Sequence, residues 1–250
     1  MRGLAHVAVL SVLEREGIAV DGIAGTSAGS VVGAAYAAGI RAGELCTLSS
    51  DLGWRHLARP SASRTGLLSL APLEALIDHH LGGANFADLH VPFAAVAADP
   101  TTGEAVILRE GRVARAVHAS CAVPGIVAPV EVGGRLLVDG GIVNNLPVRT
   151  ARTLCAGDDG MPAVVVAVSL FSLPEACPPT AGTMLTTAAD LLIRAAGDDP
   201  ASADVHIPVP LRGLASVVRL SRPHRDRAFS AGLQAIEAAL PAIRAAFAHK

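Results

Sequence analysis

The chain has 250 residues, 51% hydrophobic and 17% charged, a balance that supplies a sizeable core and excludes disorder. Its formal net charge of -2, with the basic residues scattered, excludes the phosphate-backbone footprint of a nucleic-acid binder. Mean hydropathy is +0.47, but Arg15, Glu16, Asp21, Arg41 and Glu44 break the apolar stretches before the roughly 20 residues that a spanning helix needs.

Leu4 to Glu16 carries apolar residues at helical spacing and stops at Gly17, so it reads as a helix. Ile18 to Ala24 reads as a short buried strand, Gly25 to Gly29 as a tight turn, and Ser30 to Ile40 as a closely packed helix. Helices are predicted over Arg41 to Asp51 and Pro72 to His80, with the polar stretch Trp54 to Thr65 between them. Val91 to Ala98 and Glu104 to Arg109, joined by Asp99-Pro100-Thr101-Thr102-Gly103, read as a hairpin. Gly111 to Ala119 reads as a helix and Ile126 to Val132 as a strand, with Gly133-Gly134 turning into Arg135 to Val138 and Asp139 at that strand's end. Ala163 to Leu170 suits a parallel strand buried on both faces. Helices are expected at Thr183 to Ala196 and Ala228 to Ala248, the last interrupted by Pro241. Phe171 to Thr180 and Asp198 to Pro210 read as surface connections. This alternation predicts a layered α/β fold, taken as one domain over residues 1–250.

Cys46, Cys121, Cys155 and Cys177 lie far apart, with no CxxC pair and no histidine at metal-ligand spacing. They read as free buried thiols of a cytoplasmic protein. The start Met1-Arg2-Gly3-Leu4 lacks a signal-peptide cleavage pattern.

Gly25-Thr26-Ser27-Ala28-Gly29 is a GxSxG placed between a predicted strand and a predicted helix. That is the nucleophile-elbow arrangement, in which a sharp turn lifts the serine hydroxyl clear of the sheet and the helix N-terminus places N–H dipoles beside developing charge. The second element, Asp139-Gly140-Gly141, stands at a strand end with Asn144, Asn145 and Pro147 after it. Alone, Asp-Gly is also ordinary turn chemistry.

Together with Arg2-Gly3-Leu4-Ala5-His6-Val7 and with Ser120-Cys121-Ala122-Val123-Pro124-Gly125 through Pro129-Val130, these elements resemble in order the bacterial patatin-like phospholipases. The resemblance covers about residues 2–170 and leaves a helical part from about 180 to 250 outside it. It implies a three-layer fold with a mostly parallel central sheet, and a Ser-Asp dyad with Ser27 as nucleophile and Asp139 as general base. Gly25, Gly29, Gly140 and Gly141 match the family's motif glycines. A carboxylate held against a serine hydroxyl in a partly desolvated pocket has a raised pKa and accepts the proton better, so no third member is required. The competing triad would join Asp139 to His206 or His224, while His6 and His118 read as core histidines.

The family's oxyanion loop is a glycine run ending in Arg-Gly after a first strand. This sequence starts at Met1-Arg2-Gly3, so Arg2, Gly3 and the N–H of Ala28 form an incomplete set of oxyanion donors. An overlooked upstream start or a weakened enzyme is expected, with a sheet edge left exposed. The leading expectation is a hydrolase of lipid or other acyl esters, needing no metal or cofactor. A lipid-binding or regulatory protein and an acyltransferase using the same acyl-enzyme remain open. So does peripheral membrane contact through residues 228–250, against a helix packed on the core. Oligomeric state is not legible.

Overall fold

In the computed structural model of the chain, residues 3–50, 54–155, 163–171, 180–211 and 222–248 are described. The N-terminal apolar stripe forms α1 (Leu4–Arg15), and after a loop come β1 (Ile23–Thr26) and α2 (Ala28–Ala37). Then follow α3 (Ala42–Ser50), α4 (Trp54–Leu57), β2 (Arg59–Pro60), β3 (Gly66–Ser69) and α5 (Ala71–His80). The hairpin β4 (Phe93–Ala98) and β5 (Ala105–Leu108) precedes α6 (Val113–Ser120), β6 (Gly125–Val127), β7 (Val130–Val132) and β8 (Arg135–Asp139). The chain continues through α7 (Val148–Leu154), β9 (Val166–Phe171), α8 (Ala181–Ala195), β10 (Val205–Pro210) and α9 (Arg222–Ala248).

The main sheet runs β1-β4-β8-β7, with β5 also on β4. Strand β4 is buried along its whole length. Phe93, Ala95 and Ala97 share one core with Ala34 and Ala37 of α2 and with Val113 and Val117 of α6. Helix α7 packs against β1 and β4, and Val148 at its start joins Val165 and Ala167 in a smaller cluster. A second core joins α1 to α9, where Val7, Val12, Ile236 and Ile243 meet Ile207 and Val209 of β10. At their closest approach a Cβ on Gly232 would lie 2.4 Å from the Ala5 carbonyl oxygen. The α/β layering matches the sequence reading, but the central sheet is mixed and not mostly parallel: β1–β4 is the parallel pair in it, and β9–β10 and β3–β6 belong to two separate small sheets. β1 is parallel to β4, β9 to β10 and β3 to β6, whereas β4–β5, β4–β8 and β7–β8 are antiparallel. Short turns dictate the β4–β5 and β7–β8 hairpins, the second at Gly133-Gly134, where both residues adopt positive φ.

The run Ile126 to Val132 is not one strand. Ala128-Pro129 separates β6, which pairs with β3, from β7, which pairs with β8, because proline supplies no ladder donor. Conversely, the prolines of β10 had concealed a strand within the supposed connection Asp198 to Pro210. Val205 and Leu211 donate their N–H groups to Val165 and Phe171, so by alternation Pro208 and Pro210 occupy positions whose missing N–H faces away from β9. Helix α9 runs through Pro241 and packs along α1 and β10, which favours the core-packed reading of this helix. Cys121 is buried, Cys46 and Cys155 are half-buried, and Cys177 lies outside the described residues. Among the described residues, no helix is long and apolar enough to cross a membrane.

A cavity of about 250 Å³ lies between β1 and β9, walled by α1 through Val9 and Leu13 and by the start of α7 through Pro147 and Val148. It borders the edge of β1 that has no partner strand among the described residues. His6 of α1 lines it and is held neutral by burial, its pKa lowered to about 4.

Two measurements test this packing. A Cβ on Gly25 would sit 2.6 Å from the backbone of Gly29, whereas one on Gly29 would meet only the His6 ring, at 3.6 Å. Gly25→Ala is therefore expected to cost about 3 kcal/mol or more in urea unfolding, and Gly29→Ala to change stability by less than about 1 kcal/mol. The unfolded chain protonates His6 below its ordinary value of 6.5, the folded chain only near 4. Stability is thus full above pH 6.5 and falls as the pH drops through that window, by up to about 3 kcal/mol for this group. His6→Gln, compared with the parent at pH 7 and pH 5, is expected to remove that share of the slope.

Candidate active site

One edge of β4 brings the two sequence-predicted residues together. β5 pairs with Ala95 to Ala98 on one side of β4, so β1, paired through Thr26 to Val96, and β8, paired through Asp139 to Ala97, share the other side. They meet there end to end, one arriving parallel to β4 and the other antiparallel. Ser27 follows the last residue of β1, and Asp139 is the last of β8.

At Ser27 the backbone turns sharply, with φ 51° and ψ -120°, and among the described residues it alone combines a side chain with positive φ. Such a conformation costs on the order of 1–3 kcal/mol and persists only where its surroundings enforce it. Here α2 starts at once. Its N–H groups at Ser30 and Val31 donate to the Ser27 carbonyl at 2.9 and 3.3 Å, and the Ser30 hydroxyl donates to the same oxygen at 2.7 Å. On the strand side, the Thr26 hydroxyl donates to the Asn144 carbonyl at 2.8 Å.

The turn aims the Ser27 hydroxyl at Asp139, donating to Oδ2 at 2.7 Å. Asp139 is 4% exposed. Its Oδ1 accepts the Gly141 N–H at 2.8 Å, and its own N–H donates to the Ala122 carbonyl at 2.9 Å. One carboxylate oxygen is thus anchored and the other faces the serine. Gly140 is required by close approach, since a Cβ there would lie 2.3 Å from the Val96 carbonyl oxygen.

Ala28 is the first residue of α2, so its N–H belongs to the first turn, where donors lack intrahelical acceptors and the dipole favours negative charge. Gly3 packs on the same turn, its notional Cβ 3.5 Å from the Ala28 carbonyl oxygen. Arg2 lies outside the described residues. The cavity beside β1 reaches Gly25, Thr26 and Gly29 at the elbow.

His206 does not serve the site by this geometry, because its Nε2 is paired with the Ser169 hydroxyl at 2.8 Å. His224 lies on α9. His118 is a buried histidine, as expected, with Nδ1 at 2.5 Å from Glu74. Sequence reasoning assigned no role to the end of α6 and the residues just after it, yet Ser120 Oγ accepts the Ser27 N–H at 2.9 Å and Ala122 holds Asp139. The run Ser120-Cys121-Ala122 was visible in the sequence, but only as part of a family pattern. Between them, burial first and the Asp139 charge second push the Cys121 thiol up to about 12, so it stays protonated beside the serine.

A family model described as patatin-like phospholipase matches residues 1–152. An uncharacterized NTE family protein of Mycobacterium tuberculosis is 39% identical over 150 residues, covering 59% of this chain and 41% of the relative. Lysophospholipase NTE1 of Candida albicans is 31% identical over 157 residues, covering 60% of this chain and 11% of the relative. The chain spans less than half the length of these curated relatives. The crystal structure of VipD from Legionella pneumophila superposes with a TM-score of 0.67 at 14% identity, over 96% of this chain and 65% of that one, which shows a shared fold. With more than half of its length matched by the family model, including Ser27 and Asp139, the chain belongs to the patatin-like phospholipase family.

Proposed function

We propose that the protein is a serine acyl hydrolase of the lipase or phospholipase type, cleaving carboxylic esters of lipids with Ser27 as nucleophile and Asp139 as general base. The observation that carries this reading is the 2.7 Å hydrogen bond from the Ser27 hydroxyl to Asp139, made at a strained turn that opens onto a helix N-terminus. Family membership supports the lipid substrate class, and the printed activity of the Candida albicans relative points the same way.

In the first half-reaction, the Ser27 oxygen attacks the ester carbonyl carbon while its proton passes to Asp139 Oδ2. The carbonyl oxygen gains negative charge, and the Ala28 N–H at the start of α2 is the donor best placed to meet it, with Gly3 on the same turn. Collapse expels the alcohol, which takes the proton from Asp139 and leaves an acyl-Ser27 ester. Water then attacks that ester, gives its proton to Asp139, and the serine is regenerated as the carboxylic acid leaves. Because Gly141 anchors Oδ1, Oδ2 stays directed at the serine through both halves. No step requires a histidine.

Hydrolysis of a short-chain chromogenic ester and of a fluorogenic phospholipid tests the reading. Ser27→Ala is expected to lower kcat/KM at least about 10³-fold, and Asp139→Asn at least about 10²-fold. Turnover by Ser27→Ala equal to that of the parent would sink the proposal.

A further inference from the structure

We infer that Ser120 is a positioning residue for the nucleophile, its hydroxyl replacing the ladder hydrogen bond that the elbow breaks. The inference rests on the proposed role of Ser27 and extends it to a residue that touches neither substrate nor reacting atoms.

In a parallel pair, the N–H of every second residue on one strand meets a carbonyl two residues further along its neighbour. Ile23 donates to the Pro92 carbonyl at 2.9 Å. The register that aligns Ile23 with Phe93 and Gly25 with Ala95 sends the next donor, Gly25, to Ala94. Continued by two residues, it would send the Ser27 N–H to the Val96 carbonyl. The turn at Ser27, with φ 51°, swings that N–H off the ladder line.

Ser120 fills the resulting gap. It is the last residue of α6, and its side chain is fully buried. Its oxygen accepts the Ser27 N–H at 2.9 Å and donates its own proton to the Val96 carbonyl at 2.6 Å. One hydroxyl thus satisfies both backbone groups that the broken ladder would strand in a dry interior, where each would carry a desolvation penalty. The bridge also sets how far the elbow may lift from β4. Two residues on, the Ala122 carbonyl takes the Asp139 N–H, and Gly140 lies against the same Val96 carbonyl. The end of α6 therefore spans both members of the dyad and fixes their separation.

Removal of the hydroxyl leaves the dyad's own groups present but frees the elbow to relax, and misplacement of about 1 Å is enough to cost about 10²-fold in rate. The decisive comparison is Ser120→Thr against Ser120→Val, two side chains of the same shape, one with the hydroxyl and one without. Ester hydrolysis, the rate of Ser27 labelling by a fluorophosphonate, and the unfolding midpoint are measured for both, with Ser120→Ala, Ser27→Ala and the parent alongside.

Ser120→Thr is expected to exceed Ser120→Val at least about 10-fold in kcat and in labelling rate per folded molecule, with KM values within about threefold. Ser120→Ala, if folded at the assay temperature, should match the valine variant. Equal kcat for Thr and Val, or a folded Ser120→Ala within about twofold of the parent, would overturn the inference and leave Ser120 a stability residue whose loss shifts only the midpoint. A parent no faster than Ser27→Ala would instead overturn the hydrolase reading, and this inference with it.

Discussion

One edge of β4 carries two strands in succession, and the site depends on their junction. β1 reaches Val96 from one direction and β8 reaches Ala97 from the other, so Ser27 and Asp139 are neighbours by sheet register before any side chain is placed. The remaining local features serve that junction. Gly25 lets α2 fold back against the strand it has just left, Gly140 lets the chain turn within touch of the Val96 carbonyl, and the end of α6 closes the gap from behind. A mixed sheet is what makes this possible, since two parallel strands cannot meet end to end at their C-terminal ends along one edge.

The junction also sets the electrostatics. Asp139 is a buried carboxylate with one oxygen bound to a backbone N–H and the other to a hydroxyl, an arrangement in which hydrogen bonds replace the water that burial removed. The adjoining Cys121, the better nucleophile by element, is kept as a thiol by the same burial and the same negative charge. One environment therefore keeps the sulfur protonated while the Ser27 hydroxyl is paired with Asp139.

Where local chemistry decides a feature, the sequence displays it. The GxSxG elbow, the turn at Gly133-Gly134 and the strand end at Asp139 all lie where their residues place them, because each follows from glycine geometry or from a short periodic run. Features set by pairing across the chain were hidden. β10 was masked by Pro208 and Pro210, whose tolerance depends on which way a partner strand lies, and β6 and β7 looked like one strand because nothing local says that the chain changes sheets at Pro129. Ser120 was invisible as a functional residue for the same reason. A serine at a helix end has no meaning until the broken ladder opposite it is known. The last helix, expected to be interrupted at Pro241, runs through it, since contact with α1 along Gly232, Ile236 and Ile243 outweighs the local penalty of proline.

The span of these contacts governs when the site can exist during folding. The Ser27–Asp139 bond links residues 112 apart, and the bridge from Ser27 to Ser120 links residues 93 apart. Closing such loops costs entropy before any contact repays it. A nascent chain that has exposed the elbow but not yet β8 lacks Asp139, and before α6 is complete it also lacks the wall behind Ser27, leaving only α2 to hold the strained turn. The paired arrangement of Ser27 and Asp139 thus needs the completed β4 edge, and partly synthesised or partly unfolded chains carry the GxSxG motif without its partner.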